Sequence, residues 1–246
     1  FESAALRADV GAERVRVGAL GIRRGTATVE LRGLPDSASG FLRGTVDSLA
    51  SGAFGVDLAS VAVSVERGER LRVAATASRG DTIRVAARAD ITWPDDGFRV
   101  RVDSLNAAIG EHRWRLTAPA AARFTSGGAD VDSLVLRSDH GAVAALAGTM
   151  PDRGAIDATV RIGALGFEEL AFLGLFPSDL SGRIAASARV AGTRDAPTIT
   201  ATATLDSIRS ADRDRPTLSV DASYAGRRAN LRLAATIGTR RVLDLT

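Results

Sequence analysis

Side chains that could carry out chemistry are few and far apart in this 246-residue chain. The only two histidines, His112 and His140, each stand between polar or glycine neighbours, and the chain has no cysteine. Zinc sites are built from several Cys or His ligands at short, defined spacings, and neither histidine has such a neighbour along the chain. We therefore interpret both histidines as solvent-facing or turn residues, and we expect no metal site and no cofactor.

Carboxylates do not form an acid and base pair that could support catalysis. Asp95 and Asp96 follow Pro94 and precede Gly97, an order of residues that is typical of a hairpin turn. The chain also lacks the Ser motif of hydrolases, the Gly-rich phosphate loop and the dinucleotide fingerprint. The sequence therefore predicts that this protein is not an enzyme.

A recurring tetrad, Val-Asp-Ser-Leu, places a carboxylate beside a hydroxyl. It occurs at Val46–Leu49, Val102–Leu105 and Val131–Leu134, with Leu205–Ile208 as a variant. Asp and Ser side chains form local hydrogen bonds with the backbone that compete with a strand ladder. We predict that these pairs end strands and have no catalytic role.

The charge pattern does not indicate binding of nucleic acid. All 32 basic residues are arginines, and the net charge is only +3. The pI of 10.6 is high because the chain has no Lys, no Cys and a single Tyr, so almost nothing titrates between neutral pH and the Arg range. The arginines alternate with acidic and hydroxyl residues, whereas a nucleic-acid interface needs a basic patch.

Apolar and polar residues alternate along nearly the whole chain, as in Val61–Val65, Phe98–Val102 and Ile156–Ile162. Successive side chains of a strand point to opposite faces, so each run predicts a strand with one apolar and one polar face. Roughly fifteen such runs are separated by Gly, Pro, Asp and Ser turn signals. The sequence therefore predicts an all-β fold with a long antiparallel sheet, whose apolar face must be covered.

One segment, residues 167–176, departs from this alternation. Phe167, Leu170 and Ala171 have helical spacing, and Glu168 and Glu169 fall in the first turn, where the helix dipole favours them. We predict one short amphipathic helix here, ended by the proline at position 177. A weaker helix signal covers residues 45–52.

The arrangement of Gly, Pro and aliphatic residues in the second half of the chain resembles a known family. Leu180–Ile184, Ala191–Thr193 and Pro197–Ile199 follow the pattern L-x-G-x, strand, x-G-T-x3-P-x-I. Trp114–Leu116 and Val131–Ser138 precede this pattern, and a run from Tyr224 to Leu233 follows it. The succession resembles the C-terminal half of TamB proteins, in the AsmA-like group of bridge-like lipid transfer proteins. The resemblance covers residues 114–246 well, whereas residues 1–113 match the family less well.

The resemblance implies a fold and a function. It implies a sheet curled into a taco-like apolar groove, in the periplasm of a diderm bacterium, anchored to the inner membrane by a segment outside this chain. It also implies phospholipid passage between the two membranes, a role in outer-membrane protein assembly, and an Omp85-family partner similar to TamA. The chain begins without Met at Phe1 and ends in an apolar run, so we interpret residues 1–246 as one repetitive segment of a longer protein.

The hypothesis of an apolar groove predicts that specific residues point inward, where acyl chains would cover them. Small residues among them, such as Ala186, Ala188, Ala201 and Ala203, would leave room between the walls. The alternative is an array of structural or adhesive β-sandwiches that bury the same faces against each other and carry no lipid. The predicted lining consists of Val61, Val63, Val65, Leu71, Val73, Ile83, Val85, Phe98, Val100, Val102, Trp114, Leu116, Ile156, Val160, Ile184, Val190, Ile199, Leu218, Val220, Leu231 and Leu233.

Overall fold

Alternating sequence becomes strand along almost the entire chain. The computed structural model describes residues 4–17, 20–34, 38–51, 54–66, 69–172, 181–209, 216–238 and 240–245. Seventeen strands and one short helix account for most of these residues, and the strands belong to one antiparallel sheet. The predicted all-β fold with a long antiparallel sheet and a single short helix is confirmed.

The chain divides into two compact units, Phe1–Arg115 and Leu116–Thr246, where the sequence predicted one continuous segment. The boundary falls two residues from position 114, where the resemblance begins. The strands of the first unit are β1 (Ala4–Val17), β2 (Leu20–Leu34), β3 (Ser39–Ser51), β4 (Phe54–Glu66), β5 (Arg70–Arg79), β6 (Ile83–Thr92) and β7 (Gly97–Ile109), followed by β8 (His112–Leu116), whose last residue begins the second unit. Each strand from β1 to β7 pairs antiparallel with the strand that follows it.

The second unit repeats the same up-and-down connection. Its elements are β9 (Ala120–Thr125), β10 (Gly128–Ser138), β11 (Val143–Pro151), β12 (Ile156–Gly166), α1 (Phe167–Phe172), β13 (Ser181–Gly192), β14 (Pro197–Arg209), β15 (Pro216–Ala225), β16 (Arg228–Ile237) and β17 (Arg240–Leu245). Consecutive strands from β9 to β17 are paired antiparallel. Short hairpin turns suit this topology because each strand meets its sequence neighbour.

The two helix predictions have different outcomes. Helix α1 begins at Phe167 as predicted and is described to Phe172, while residues 173–180 lie outside the described part of the chain. Residues 45–51 belong to strand β3, so the weaker helix prediction is wrong there. Pairing of β3 with strands on both sides outweighs a weak local helix signal.

Helix α1 is fixed by a close approach to β13. The Phe167 side chain is fully buried, and its ring lies so near Gly182 that a β-carbon there would come within 2.8 Å of a ring carbon. Gly182 has a φ of +154°, which residues with side chains rarely adopt. Glu168 is exposed, whereas Glu169, its neighbour in the first turn, is buried.

The turn predicted at Asp95 and Asp96 is confirmed. Strand β6 ends at Thr92 and β7 begins at Gly97, whose backbone N–H donates to the Pro94 carbonyl at 3.1 Å. The two aspartates are exposed.

The Val-Asp-Ser-Leu tetrads lie inside strands, so the prediction that they end strands is wrong. In β7 the ladder to β6 shifts by one residue between Ala89–Val102 and Arg88–Ser104, which leaves Asp103 as an extra residue. In β10 the ladder to β11 shifts between Val131 and Leu134. Such an extra residue makes a β-bulge, in which two residues of one strand oppose one residue of its partner. The remaining two tetrads carry a serine with positive φ, Ser48 at 62° and Ser207 at 54°.

The bulges keep the apolar face continuous. Val102 and Leu105 are three residues apart and would face opposite ways in a regular strand. Because of the bulge, Val102 pairs with Ala89 and Leu105 with Ala87, and these partners lie two residues apart on one face of β6. The Asp-Ser pair therefore absorbs the odd spacing between two apolar residues.

Strands β11 and β12 approach each other closely at Gly148. Its φ is +146°, and an added β-carbon would lie 2.4 Å from the Ala158 Cα and from the Asp157 carbonyl oxygen. We expect Gly148→Ala to destabilise the second unit by about 3 kcal/mol, through backbone strain and overpacking. Gly163 in β12 has nothing within 4 Å of such an atom. Gly163→Ala should therefore leave the urea unfolding midpoint almost unchanged, and equal shifts for both variants would refute this account.

Candidate functional site

The register of the first unit places the predicted lining residues on one face, here called the first apolar face. Directly paired residues in a ladder point to the same face, and Val63, Val73, Ala89 and Val102 form one such row across β4 to β7. Ala77, Val85, Ala107 and Trp114 form another row, which reaches β8. The predicted residues on this face, by ladder pairing or by alternation within their strand, are Val61, Val63, Val65, Leu71, Val73, Ile83, Val85, Phe98, Val100, Val102 and Trp114. Leu116 lies on the same face of β8 as Trp114.

The second unit has an equivalent second apolar face. One row runs through Leu146, Val160, Ala188, Ala201, Ala222 and Leu231, from β11 to β16. The predicted residues on this face are Ile156, Val160, Ile184, Val190, Ile199, Leu218, Val220, Leu231 and Leu233. The alternation of the sequence thus assigned all of these side chains to one face of their own unit.

Several residues of the two faces were missed by the sequence analysis. On the first face these include Leu6, Val10, Val29, Leu31 and Leu42, which the ladders of β1 to β4 connect to Val63. On the second face they include Leu134, Ile162, Tyr224, Leu243 and Leu245. The same period-two signal could have found most of them, whereas Leu105 and Leu134 lie beyond bulges that shift the alternation.

Most side chains on the two apolar faces are neither fully buried nor fully exposed to solvent. Among the predicted lining residues only Trp114 and Ile156 are buried, at 8% and 7% exposure. Four are exposed, namely Phe98 at 39%, Val160 at 43%, Ile199 at 37% and Leu231 at 58%, and the rest are half-buried. The inner faces of a packed sandwich interdigitate into a core, which would bury these side chains. The apolar faces are therefore incompletely covered.

The solvent-accessible surface area of the chain also indicates that the apolar faces are incompletely covered. The chain exposes 16396 Å². A compact protein of its mass would expose about 10,400 Å², and two separate compact domains of half the mass would expose about 12,500 Å² in total. The excess is therefore independent of how the two units are arranged.

Small residues stand at the centre of each apolar face. In the second unit Ala186 pairs with Ala203, and Ala188 pairs with Ala201, so the four predicted alanines form one block. In the first unit a similar block contains Ala59, Ala75, Ala77 and Ala87. Larger side chains adjoin both blocks across the ladders, as Val61 and Val85 do in the first unit and Val160 and Val220 in the second.

In β5 and β6 of the first unit the apolar face is nevertheless more sheltered than the polar one. Ala74 on the polar face is exposed, while the next residue, Ala75 on the apolar face, is half-buried. Ala86 and Ala87 differ in the same way. The exposed alanines are flanked by the long side chains of Arg72 and Arg88, so the difference does not come from the size of their neighbours.

Cross-strand ion pairs lie on the polar faces. The Asp157 carboxylate accepts two hydrogen bonds from the Arg189 guanidinium, at 3.0 and 2.9 Å, and Arg232 lies 3.3 Å from Asp244. The hydrogen bond to Asp157, together with the attraction between the charges, raises the pKa of Arg189 above its ordinary value. These pairs are well exposed, so each contributes little to stability and serves mainly to keep this face in water.

The two histidines belong to different elements of the chain. His140 lies in the exposed turn between β10 and β11, where its Nδ1 is 2.9 Å from an oxygen of Asp139, so the prediction of a turn position is confirmed. His112 opens β8 directly after the turn at residues 110–111, where it is half-buried and pairs with Ile109 on the first apolar face, so it is not the fully solvent-facing residue that was one of the two predicted alternatives. The short turn after Ile109 sets this register, and the polar neighbours in the sequence do not reveal it.

Within the described residues, no helix is long and apolar enough to cross a membrane. Comparison of the chain with protein-family models, with curated proteins and with solved structures gave no match in any of the three.

Proposed function

We propose that the two apolar faces bind the acyl chains of phospholipids, and that the chain is a segment of a conduit that passes lipids between the inner and outer membranes of a diderm bacterium. The observation that carries the proposal is the incomplete burial of a continuous apolar face in each unit. Exposed apolar patches of more than a few hundred Å² are rare on soluble monomers unless they bind something.

Acyl chains fit these faces in shape as well as in chemistry. Each face has a block of small alanines at its centre with larger aliphatic side chains beside it, which would leave room for a slender flexible chain. Every methylene removed from water contributes about 0.8 kcal/mol, so two acyl chains supply ample binding energy. No polar side chain of the central rows interrupts the face in the second unit.

The cellular compartment and the partners in this proposal are inferred from the resemblance to TamB and AsmA-like proteins. In the proposal the groove is a curled sheet in the periplasm, anchored in the inner membrane by a segment outside this chain. An Omp85-family partner similar to TamA would be contacted through regions outside it as well, and the associated role in outer-membrane protein assembly would depend on that contact. The fragment itself supplies the lipid-binding wall.

Photo-crosslinking with matched positions tests the proposal. A photoreactive residue is introduced at Leu146, which is 40% exposed on the second apolar face, and separately at Ala145, which points to the polar face of the same strand. After incubation with vesicles of radiolabelled phosphatidylethanolamine and irradiation, we expect labelled protein from position 146 and little from position 145. Equal labelling at both positions, or none at either, would favour a structural β-domain without lipid cargo.

A further inference from the structure

The polar face of the first unit carries a cavity whose lining is entirely charged. The cavity measures about 360 Å³, within the range of small-molecule sites. Three arginines and two acidic residues line it, so the lining offers both signs of charge with one positive charge in excess. They come from strands β1, β2 and β3 and are Glu13, Arg14, Arg23, Arg24 and Asp47.

The cavity lies where the ladders of these strands are interrupted. In the described strands β1, β2 and β3, no ladder pair includes Arg14, Arg23 or Ser48, although the residues on both sides of them are paired. Arg14 and Ser48 have φ values of 52° and 62°, in the left-handed region that residues other than Gly rarely adopt. Strained backbone of this kind clusters at functional sites, which makes this row a candidate for ligand binding.

The interruption brings like charges together. Arg14 and Arg23 stand opposite each other, one position beyond the ladder pair of Glu13 and Arg24. That ladder pair also forms an ion pair, in which the Arg24 Nε lies 3.2 Å from a Glu13 carboxylate oxygen. Among the described residues, neither Arg14 nor Arg23 forms an ion pair or a side-chain hydrogen bond. Like charges directly across a ladder are destabilising, and an anion held between them would relieve the repulsion.

Asp47 adds a carboxylate to the same cavity. It is half-buried, and its ladder partners are Arg24 and Leu58. Among the described residues its carboxylate forms neither an ion pair nor a hydrogen bond, whereas the Arg24 guanidinium is engaged by Glu13. Asp47 and Arg23 belong to adjacent strands, which lie about 4.8 Å apart. The cavity therefore places a site for an anion and a site for a cation within reach of one small ligand.

We propose that this cavity binds an aminoalkyl phosphate, with the phosphate between Arg14 and Arg23 and the ammonium group at Asp47. Each guanidinium presents a planar fork of N–H donors that matches phosphate oxygens. Two forks engage different oxygens of one tetrahedral phosphate, whereas a carboxylate has only the two oxygens that one fork occupies. The proposal goes beyond the binding of acyl chains, because the cavity lies on the polar face, opposite the first apolar face.

Calorimetric titration of the intact chain tests the site with three soluble probes: phosphoethanolamine, ethyl phosphate and ethanolamine. Phosphoethanolamine carries both charged groups, ethyl phosphate lacks the ammonium group, and ethanolamine lacks the phosphate. We expect phosphoethanolamine to bind roughly tenfold more tightly than ethyl phosphate, and ethanolamine to show no binding. Absence of phosphoethanolamine binding, or no preference for it over ethyl phosphate, overturns the proposal.

Matched variants separate a built site from general positive charge. Arg14→Gly removes one guanidinium and also relieves the positive φ, so phosphoethanolamine binding should weaken roughly tenfold while the melting temperature is kept or raised. Arg23→Gln should weaken binding to a similar extent. Arg32→Gln removes a charge from the polar face of β2 outside the lining and should leave binding unchanged. Equal weakening by Arg23→Gln and Arg32→Gln refutes the site.

Asp47→Asn isolates the site for the cation. It removes the negative charge and keeps the size of the side chain, so ethyl phosphate should still bind while the preference for phosphoethanolamine disappears. If the preference persists in this variant, Asp47 does not hold the ammonium group and the proposal fails.

Vesicles of phosphatidylethanolamine distinguish a lipid headgroup from a soluble ester. Vesicle binding that is lost in Arg23→Gln identifies the headgroup as the source of the aminoalkyl phosphate, whereas binding of the soluble ester alone identifies a soluble ligand, and both results support the site. Crosslinking of lipid at Leu146 reports on the second unit and should be unaffected by Arg23→Gln. Failure of this site is therefore distinguishable from failure of the proposed lipid conduit.

Discussion

Val220→Arg is expected to abolish phospholipid binding by the second unit while the strand structure is retained. Val220 is half-buried on the second apolar face, where it pairs with Ala203 and Leu233. An arginine there would point its charge at bound acyl chains, and burying an unpaired charge costs several kcal/mol. Lipid recovered with the purified chain should fall roughly tenfold or more.

The fold can survive this change only if the apolar face is open. In an incompletely covered face the long arginine side chain can extend along the surface until its guanidinium reaches water. In a packed sandwich the guanidinium could not reach water, and the unit would unfold. Circular dichroism together with lipid extraction therefore separates the conduit from the structural domain.

A matched control introduces the same charge on the other face. Thr202 lies on the polar face of β14, exposed, directly across the ladder from Asp221. Thr202→Arg should keep both the strand spectrum and the bound lipid, since its guanidinium gains a carboxylate neighbour. Loss of lipid in Thr202→Arg, or unfolding of Val220→Arg, would contradict the proposal.

Side-chain alternation predicted the faces because the period of a strand is two and does not depend on tertiary context. Knowing that Val100 is apolar and Arg101 is polar is enough to assign both to opposite faces, and the ladders to β6 agree. The same holds for Val220 and Asp221. The alanine block of the second unit was also predictable in composition, although its direct pairing needed the register.

Features that depend on register were not predictable from one sequence. Asp103 and Ser104 look like residues that end a strand, and only the ladder shows that β7 continues through them as a bulge. Similarly, Arg84 and Arg113 are 29 positions apart, and only the ladders of β6, β7 and β8 show that both pair with Ala108. Division into two units also depends on which contacts each strand makes beyond its own hairpin.

Deletion of one polar residue is expected to have opposite results in two strands of the first unit. Thr76 lies in β5, whose ladders to β4 and β6 are regular. Deleting it shifts the rest of the strand by one position, which turns either Val73 and its neighbours or Ala77 and its neighbours to the polar face. We expect the first unit to lose its cooperative unfolding transition, because several apolar side chains leave the apolar face at about 1.5–3 kcal/mol for each large one.

Deleting Ser104 should be tolerated, although it also removes one polar residue from the middle of a strand. The bulge in β7 holds one residue more than its partner β6 needs. Without Ser104, Val102 and Leu105 stand two positions apart, so both remain on the apolar face in a regular ladder. We expect a cooperative transition with a loss of about 1–2 kcal/mol, which reflects altered local twist. Urea titration followed by circular dichroism compares the two deletions. If removal of Ser104 is as damaging as removal of Thr76, the tetrad does more than absorb odd spacing, and the bulge itself is required for the strand to pair.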